Sequence, residues 1–338
     1  MKKITYALLS IVVVLNLTSC QNPQLKKPMH SYVVTKLENN KVAIEEFNSD
    51  KQGISLEGIA YNIMHDEANR LWVPINVSNQ GDPGKIVDVI ESGKISKTIN
   101  GIPTRPLKVL EGRGSTNVIL CQDNGIESKV VFIDKKNFNI IDTIKIYGSI
   151  TDGLISDNNL FISADNLKEN KNSIIYKVDL NDHTNITSVS IQDSLRINSI
   201  SQEGDYIYAG VLAYVRKNTT NLLKIKKATL TIDNEFEVLH SPFKIEKVNG
   251  KLLLLHFSYT SDPIFGGKLT IFDIATEKKK EIETGIIADH INVMEDKTFV
   301  LSSSVSSDYV KVNVETQSIE KLKGKQITLS NIIFAEDK

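Results

Sequence analysis

The chain has 338 residues, with 40 basic side chains against 41 acidic ones and 41% hydrophobic residues. That is long enough for one large all-β domain or two average ones, and apolar enough to bury a core, which excludes a disordered chain. Charges that nearly cancel, without a long block of one sign, argue against a nucleic-acid binder, which carries a basic stripe.

In chain order, Met1-Lys2-Lys3 forms a short positive segment, and Ile4 to Leu17 an apolar one interrupted by Thr5, Tyr6, Ser10 and Asn16. A membrane-spanning helix needs roughly 20 apolar residues, so this segment reads as a secretory signal. It ends in Leu17-Thr18-Ser19-Cys20, which resembles the lipobox of bacterial lipoproteins. The resemblance implies cleavage before Cys20, a diacylglycerol on its sulfur and acylation of the new amino group. The thiolate is the nucleophile that takes the lipid, and two or three acyl chains suffice for stable anchoring. Residues 1–19 are thus expected as signal peptide, 20–29 as lipidated cysteine and tether, and 30–338 as one extracytoplasmic domain. With Cys20 lipidated, the other thiol, Cys121 in "NVILCQD", has no disulfide partner and is expected as a buried structural residue.

Beyond the tether, short apolar runs recur. "RLWVPIN" (Leu71), "NVILCQD" (Val118), "NLFISAD" (Leu160), "DYIYAGV" (Tyr206), "KLLLLHF" (Leu252) and "KTFVLSSS" (Phe299) are spaced by 47, 42, 46, 46 and 47 residues. Asn, Asp and Gly clusters precede each run, as tight hairpins require. A second strand follows each run ("VVFIDKK", "IIYKVDL", "LTIFDIA"), then a more polar third ("IIDTIKI", "ITSVSI"), and one more strand lies ahead of each turn ("PLKVLE", "HINVME"). Four strands per period, with runs lacking polar alternation, suit the blades of a β-propeller, which are covered on both faces. "SYVVTKL" and "KVAIEEF" near the start and "QITLSNIIF" near the end predict a seventh blade built from both ends, which closes the ring; six or eight blades are the alternatives.

"GIPTRPLKV" followed by "STNVILCQ" and "VVFIDKKNFNIIDTIKI", and "LISDNNLFISA" followed by "IIYKVDL", resemble the YVTN-type surface propeller repeat. Most copies lack that family's Gly-Pro pair, and none carries its Tyr-Val-Thr-Asn consensus. The resemblance therefore speaks to fold more than to function.

Second-to-third-strand loops share one face with the connections between blades. They include long segments, "NVSNQGDPG", "DNLKENKNS", "LAYVRKNTTN" and "FSYTSDPIFGG". Long loops on one face of a rigid scaffold are where recognition concentrates. Tyr214, Arg216, Tyr259, Asp262 and Phe265 are the candidate contacts there. Arg105, Asp152, Arg196, Phe243 and Asp289 are candidates from the inter-blade segments. His256 and His290 are expected toward the same face near Asp289, although no metal-binding spacing is present and neither metal nor other cofactor is expected. No phosphate loop and no nucleophile elbow is recognisable.

These observations point to a membrane-anchored binder of a small molecule, a glycan or an envelope protein. By analogy with surface propellers, its place could be beside a nutrient transporter. The rival is a propeller-fold hydrolase or lyase of the lactonase kind, which needs convergent acids, a base or a metal in the funnel.

Overall fold

A computed structural model describes residues 29–37, 39–46, 53–60, 62–123, 126–166, 172–191, 195–213, 221–238, 242–256, 267–295, 297–303, 308–323 and 332–336. The protein is an all-β propeller. Six evenly spaced four-stranded antiparallel blades follow one another, spanning 64–99 (blade I), 105–147 (II), 149–191 (III), 195–237 (IV), 242–283 (V) and 290–323 (VI). In each, the strands lie in chain order from the inside outward. A further four-stranded sheet joins the two ends of the chain: Ile332–Glu336 pairs with Met29–Leu37, which pairs with Lys41–Glu46 and that with Ile54–Glu57.

The burial of the strands explains why the apolar runs do not alternate. In Thr116–Gln122, Val118 and Leu120 pack toward blade III, while Ile119 and Cys121 pack toward blade I. Leu252 and Leu254 likewise face blade IV, whereas Leu253 and Leu255 face blade VI. Each second strand is a wall shared by two apolar layers, so both of its faces must be apolar. At about 1.5–3 kcal/mol per fully buried aliphatic or aromatic side chain, these layers dominate the folding energy. Cys121 belongs to one such layer, fully buried, and its thiol is pushed up by desolvation, so it is inert at neutral pH. Outer strands carry the polar load, as in Lys279–Glu283 and Ile232–Glu237.

Because each sheet is an antiparallel meander, first-to-second and third-to-fourth turns share one face (the turn face). Second-to-third loops and inter-blade connections share the other (the loop face). The turn face is built by repetition. Asp134 Oδ1 accepts the N–H groups of Lys136 and Asn137 at 2.8 Å, Asp273 Oδ1 that of Thr276, and Asn313 Oδ1 those of Glu315 and Thr316. These bonds close turns in which Phe138, Glu277 and Gln317 take positive φ, as does Leu230 in the equivalent turn of blade IV. The residue after the capping position then donates to the neighbouring turn: Lys135 N to Ser115 O, Leu180 N to Asn158 O, Lys227 N to Asp205 O and Val314 N to Lys297 O, at 2.6–3.0 Å.

Cys20, the expected lipidation position, and the expected tether up to residue 28 lie outside the described residues. Among those residues, no helix is long and apolar enough to cross a membrane.

Candidate functional site at the channel mouth

The inner strands of blades II to V start with the same device. Their register shifts by one residue between Pro106 and Lys108, Ile150 and Asp152, Ile197 and Ser199, and Pro242 and Lys244. Such bulges re-aim a side chain at a strand end. The residues that follow them, Lys108, Asp152, Ser199 and Lys244, stand 44, 47 and 45 apart, on neighbouring strands that pack against one another around the axis.

Asp152 is the hub of this ring. Its Oδ1 meets Lys108 Nζ at 2.8 Å and the Gly153 N–H at 2.8 Å. Its Oδ2 accepts from Ser199 Oγ and the Ile200 N–H, both at 3.1 Å. Ser199 Oγ in turn accepts the Ile245 N–H at 3.1 Å, so one carboxylate ties together the inner strands of blades II to V. Burial works to raise the Asp152 carboxyl, but Lys108 and Lys244 outweigh it and hold the group below the usual carboxylate range. For Lys108, burial favours the neutral amine, yet Asp152, with Glu246 adding to it, keeps the ammonium above the ordinary lysine range. Both groups are charged at neutral pH, and the pair is satisfied on every side that the strands reach.

Lys244 lies beyond this pair, 3.7 Å from Glu246. His290 opens the inner strand of blade VI, with Nε2 3.7 Å from Asp289 Oδ1. Burial pushes the His290 imidazole below its ordinary value; Asp289 opposes that shift and Lys244 reinforces it. At neutral pH His290 is therefore an uncharged imidazole at the edge of a mixed-charge ring. Lys244, Asp289 and His290 each keep about a quarter of the side chain exposed. Together they offer a cation, an anion and a neutral donor–acceptor to a solute entering the mouth.

Several residues singled out from the sequence behave differently. His256, expected toward the loop face near Asp289, is the last residue of its strand and lies opposite Pro242. It is fully buried at the end of the second strand of blade V, Nε2 at 2.7 Å from Thr270 Oγ1, because that strand is covered on both faces. Arg196 is engaged with the buried carboxylate of Asp165 at 2.8 Å. Asp165 also accepts from Ser173 Oγ at 3.0 Å, and burial pushes its carboxyl up to about 6 against the pull of Arg196 and Ser173. Arg105, half-buried, opens the inner strand of blade II opposite Gln122, and Phe243 is half-buried at the bulge of blade V. Tyr214, Arg216, Tyr259, Asp262 and Phe265 lie outside the described residues. Among the described residues, no group of three or more His, Cys, Asp or Glu side chains could hold a metal ion.

Two hollows lie on the opposite, turn face, between blades III and IV and between blades II and III, of about 380 and 290 Å³. Lys227 in the first is nearly buried and bonded at 2.8 Å to Ser156 Oγ and Asp157 Oδ2. In the second, His183 stacks on Phe132 with ring centroids 3.6 Å apart and meets Asp142 at 2.6 Å. In both hollows these polar groups are already paired within the protein, which fits a structural role.

No family model matches the chain, and no curated protein sequence does. Solved structures match it by shape. The β-propeller domain of Cps50 (Swd1) from Myceliophteria thermophila aligns with a TM-score of 0.61 at 10% identity, over 80% of this chain and 88% of that one. BamB from Moraxella catarrhalis aligns at 0.55 and 14% identity, over 82% and 80%. Apo AztD from Citrobacter koseri aligns at 0.52 and 12% identity, over 91% and 98%. Identities this low carry the fold alone, and the fold they carry is the β-propeller.

Proposed function

We propose that the protein is a lipid-anchored, extracytoplasmic propeller that captures a small molecule, a glycan or an envelope protein at the loop-face mouth of its channel. In this reading the sheet shared by the chain ends is a seventh blade that closes the ring, and Cys20 carries the lipid. The observation that supports binding at the mouth is the ring itself. Scaffold positions repeat from blade to blade, whereas the position after the bulge holds Lys108, Asp152, Ser199 and Lys244, four residues of three chemical kinds. Beside these residues, Lys244, Asp289 and His290 each keep about a quarter of the side chain exposed, so unlike polar groups converge where a solute could meet them.

The lipidated chain in detergent is the material for the test. It would be screened by thermal shift against small metabolites and glycans, and by cross-linking against envelope proteins. A hit that raises Tm in the wild type and is lost in Lys244→Gln and Asp289→Asn, with unliganded Tm unchanged, supports the reading. A ligand that binds both variants as well as the wild type refutes the mouth as the site.

A further inference from the structure

The outer strand of each sheet begins directly after the third-to-fourth turn, so its first residues sit on the rim of the turn face. At the first or second position stand Ile54, Ile95, Ile140, Ile186, Ile232 and Ile319, with Lys279 in blade V. Ile54 is half-buried, and the other five isoleucines are 37–46% exposed. These strands are otherwise the most polar of each blade, so a large aliphatic side chain there is out of keeping with a water-facing hairpin. Scattered exposed apolar residues need no explanation, but the same residue recurring at the same place around the rim does.

The topology supplies a second, independent observation. Second strands run from the turn face to the loop face. Met29 opens such a strand in the end sheet, and Glu336 opposite it closes an inner one. The chain therefore leaves the propeller on the turn face. Cys20 stands nine residues ahead of Met29, and nine extended residues span at most about 30 Å. Three ion pairs neutralise part of the turn-face charge, Arg70–Asp66, Lys227–Asp157 and Lys297–Glu315.

We infer that the turn face, through its isoleucine rim, rests against the lipid headgroups of the membrane that holds Cys20, and that the channel mouth and the loop face point away from it. The inference rests on the anchor reading given above. It assigns the partner of the turn face as a bilayer surface, and it leaves the mouth open to solutes arriving from outside.

Matched isoleucines make the test. Ile126 and Ile287 are 53 and 48% exposed on the loop face. Single variants Ile140→Cys, Ile232→Cys and Ile319→Cys on the rim, and Ile126→Cys and Ile287→Cys opposite, would be labelled with an environment-sensitive fluorophore in the full lipidated chain. Cys121 is buried and does not compete for the label. The labelled proteins are placed in phosphatidylcholine vesicles containing a headgroup spin-labelled lipid. Rim residues that lie within the headgroup zone should be quenched at least about twofold more than the loop-face pair. Protein that floats with vesicles through Cys20 but shows equal or reversed quenching overturns the orientation and leaves the anchor standing. Protein that neither floats nor carries an acyl mass at Cys20 overturns both. Rim fluorescence that shifts with protein concentration in vesicle-free solution shows a second copy covering the rim, and overturns the lipid assignment.

Discussion

The turn face and the channel mouth are built from the same repeats and treat repetition in opposite ways. On the turn face, equivalent residues do equivalent work: Asp134, Asp273 and Asn313 cap the same turn, and Lys135, Leu180, Lys227 and Val314 donate the same backbone bond. At the mouth, equivalent positions hold unlike residues that form a single connected network, Lys108 to Asp152 to Ser199 to the backbone of blade V. A repeated local bond stabilises its own blade. A network that crosses blades couples neighbours, and a change in one member is felt by the others.

The sharpest break of the turn face is at Asp66. Its buried carboxylate accepts from Arg70 Nε and Trp72 Nε1 at 2.8 Å, and from the Arg70 and Ala68 N–H groups. Arg70 also packs against the Trp72 and Phe138 rings and donates through Nη1 to Lys135 O, joining blades I and II. Asp66→Ala leaves the indole N–H without its acceptor and the guanidinium without its counter-charge, and should cost about 3–4 kcal/mol in denaturant unfolding. The proposed binding at the mouth should be unaltered in the fraction that stays folded.

At the mouth, Lys108→Met strips Asp152 of its cation in a buried setting and should cost about 3 kcal/mol. Adding Asp152→Leu removes the stranded charge, so the double variant should regain at least about half of that loss, whereas independent effects would add. A double-mutant cycle with no coupling would show that the ring is a row of separate residues.

How far the sequence announces each region follows from the same contrast. The blades are legible because the apolar runs, turn clusters and period report the shared walls between sheets, which every blade needs. Asp152, Asp289 and His290 are legible as polar residues at inter-blade boundaries. Lys108, Ser199 and Lys244 are not, because a single lysine or serine in a strand looks like a solvated residue until the bulges fix the register. Aligning the four bulged starts would have found them. His256 misleads for the converse reason: a polar residue ending an apolar strand reads as emerging into the mouth, while Thr270 on the adjacent strand meets it inside the blade.

A pH-linked contrast comes next in size. The Asp165 carboxyl is raised to about 6 by burial, above the ordinary aspartate value. A group whose folded value is raised contributes stability that is complete below its unfolded value and is lost as pH rises through the folded one. Between pH 4 and 7 the wild type should therefore lose up to about 3 kcal/mol relative to Asp165→Asn. Urea midpoints measured across that window check it. Parallel curves for the two proteins would mean that Arg196 fully offsets the burial of the charge.

The smallest effect tests whether the mouth acts as one electrostatic unit. His290 lies below the ordinary histidine value through burial first, with Lys244 adding to the shift and Asp289 opposing it. Lys244→Gln should raise the His290 titration midpoint, followed by the imidazole proton resonances, and Asp289→Asn should lower it. The sign for stability follows from the same depression. Contributed stability is present above the unfolded histidine value and is lost as pH falls toward the folded one, so Lys244→Gln should also soften the loss of stability below about pH 6.5. The change in unfolding free energy at pH 7 should stay within about 0.5 kcal/mol, since His290 is neutral in both states there. An unmoved midpoint in Lys244→Gln would show that the ammonium is screened from the imidazole. The mouth would then be two independent clusters, Lys108–Asp152–Ser199 and Asp289–His290, each presenting its own chemistry to whatever enters.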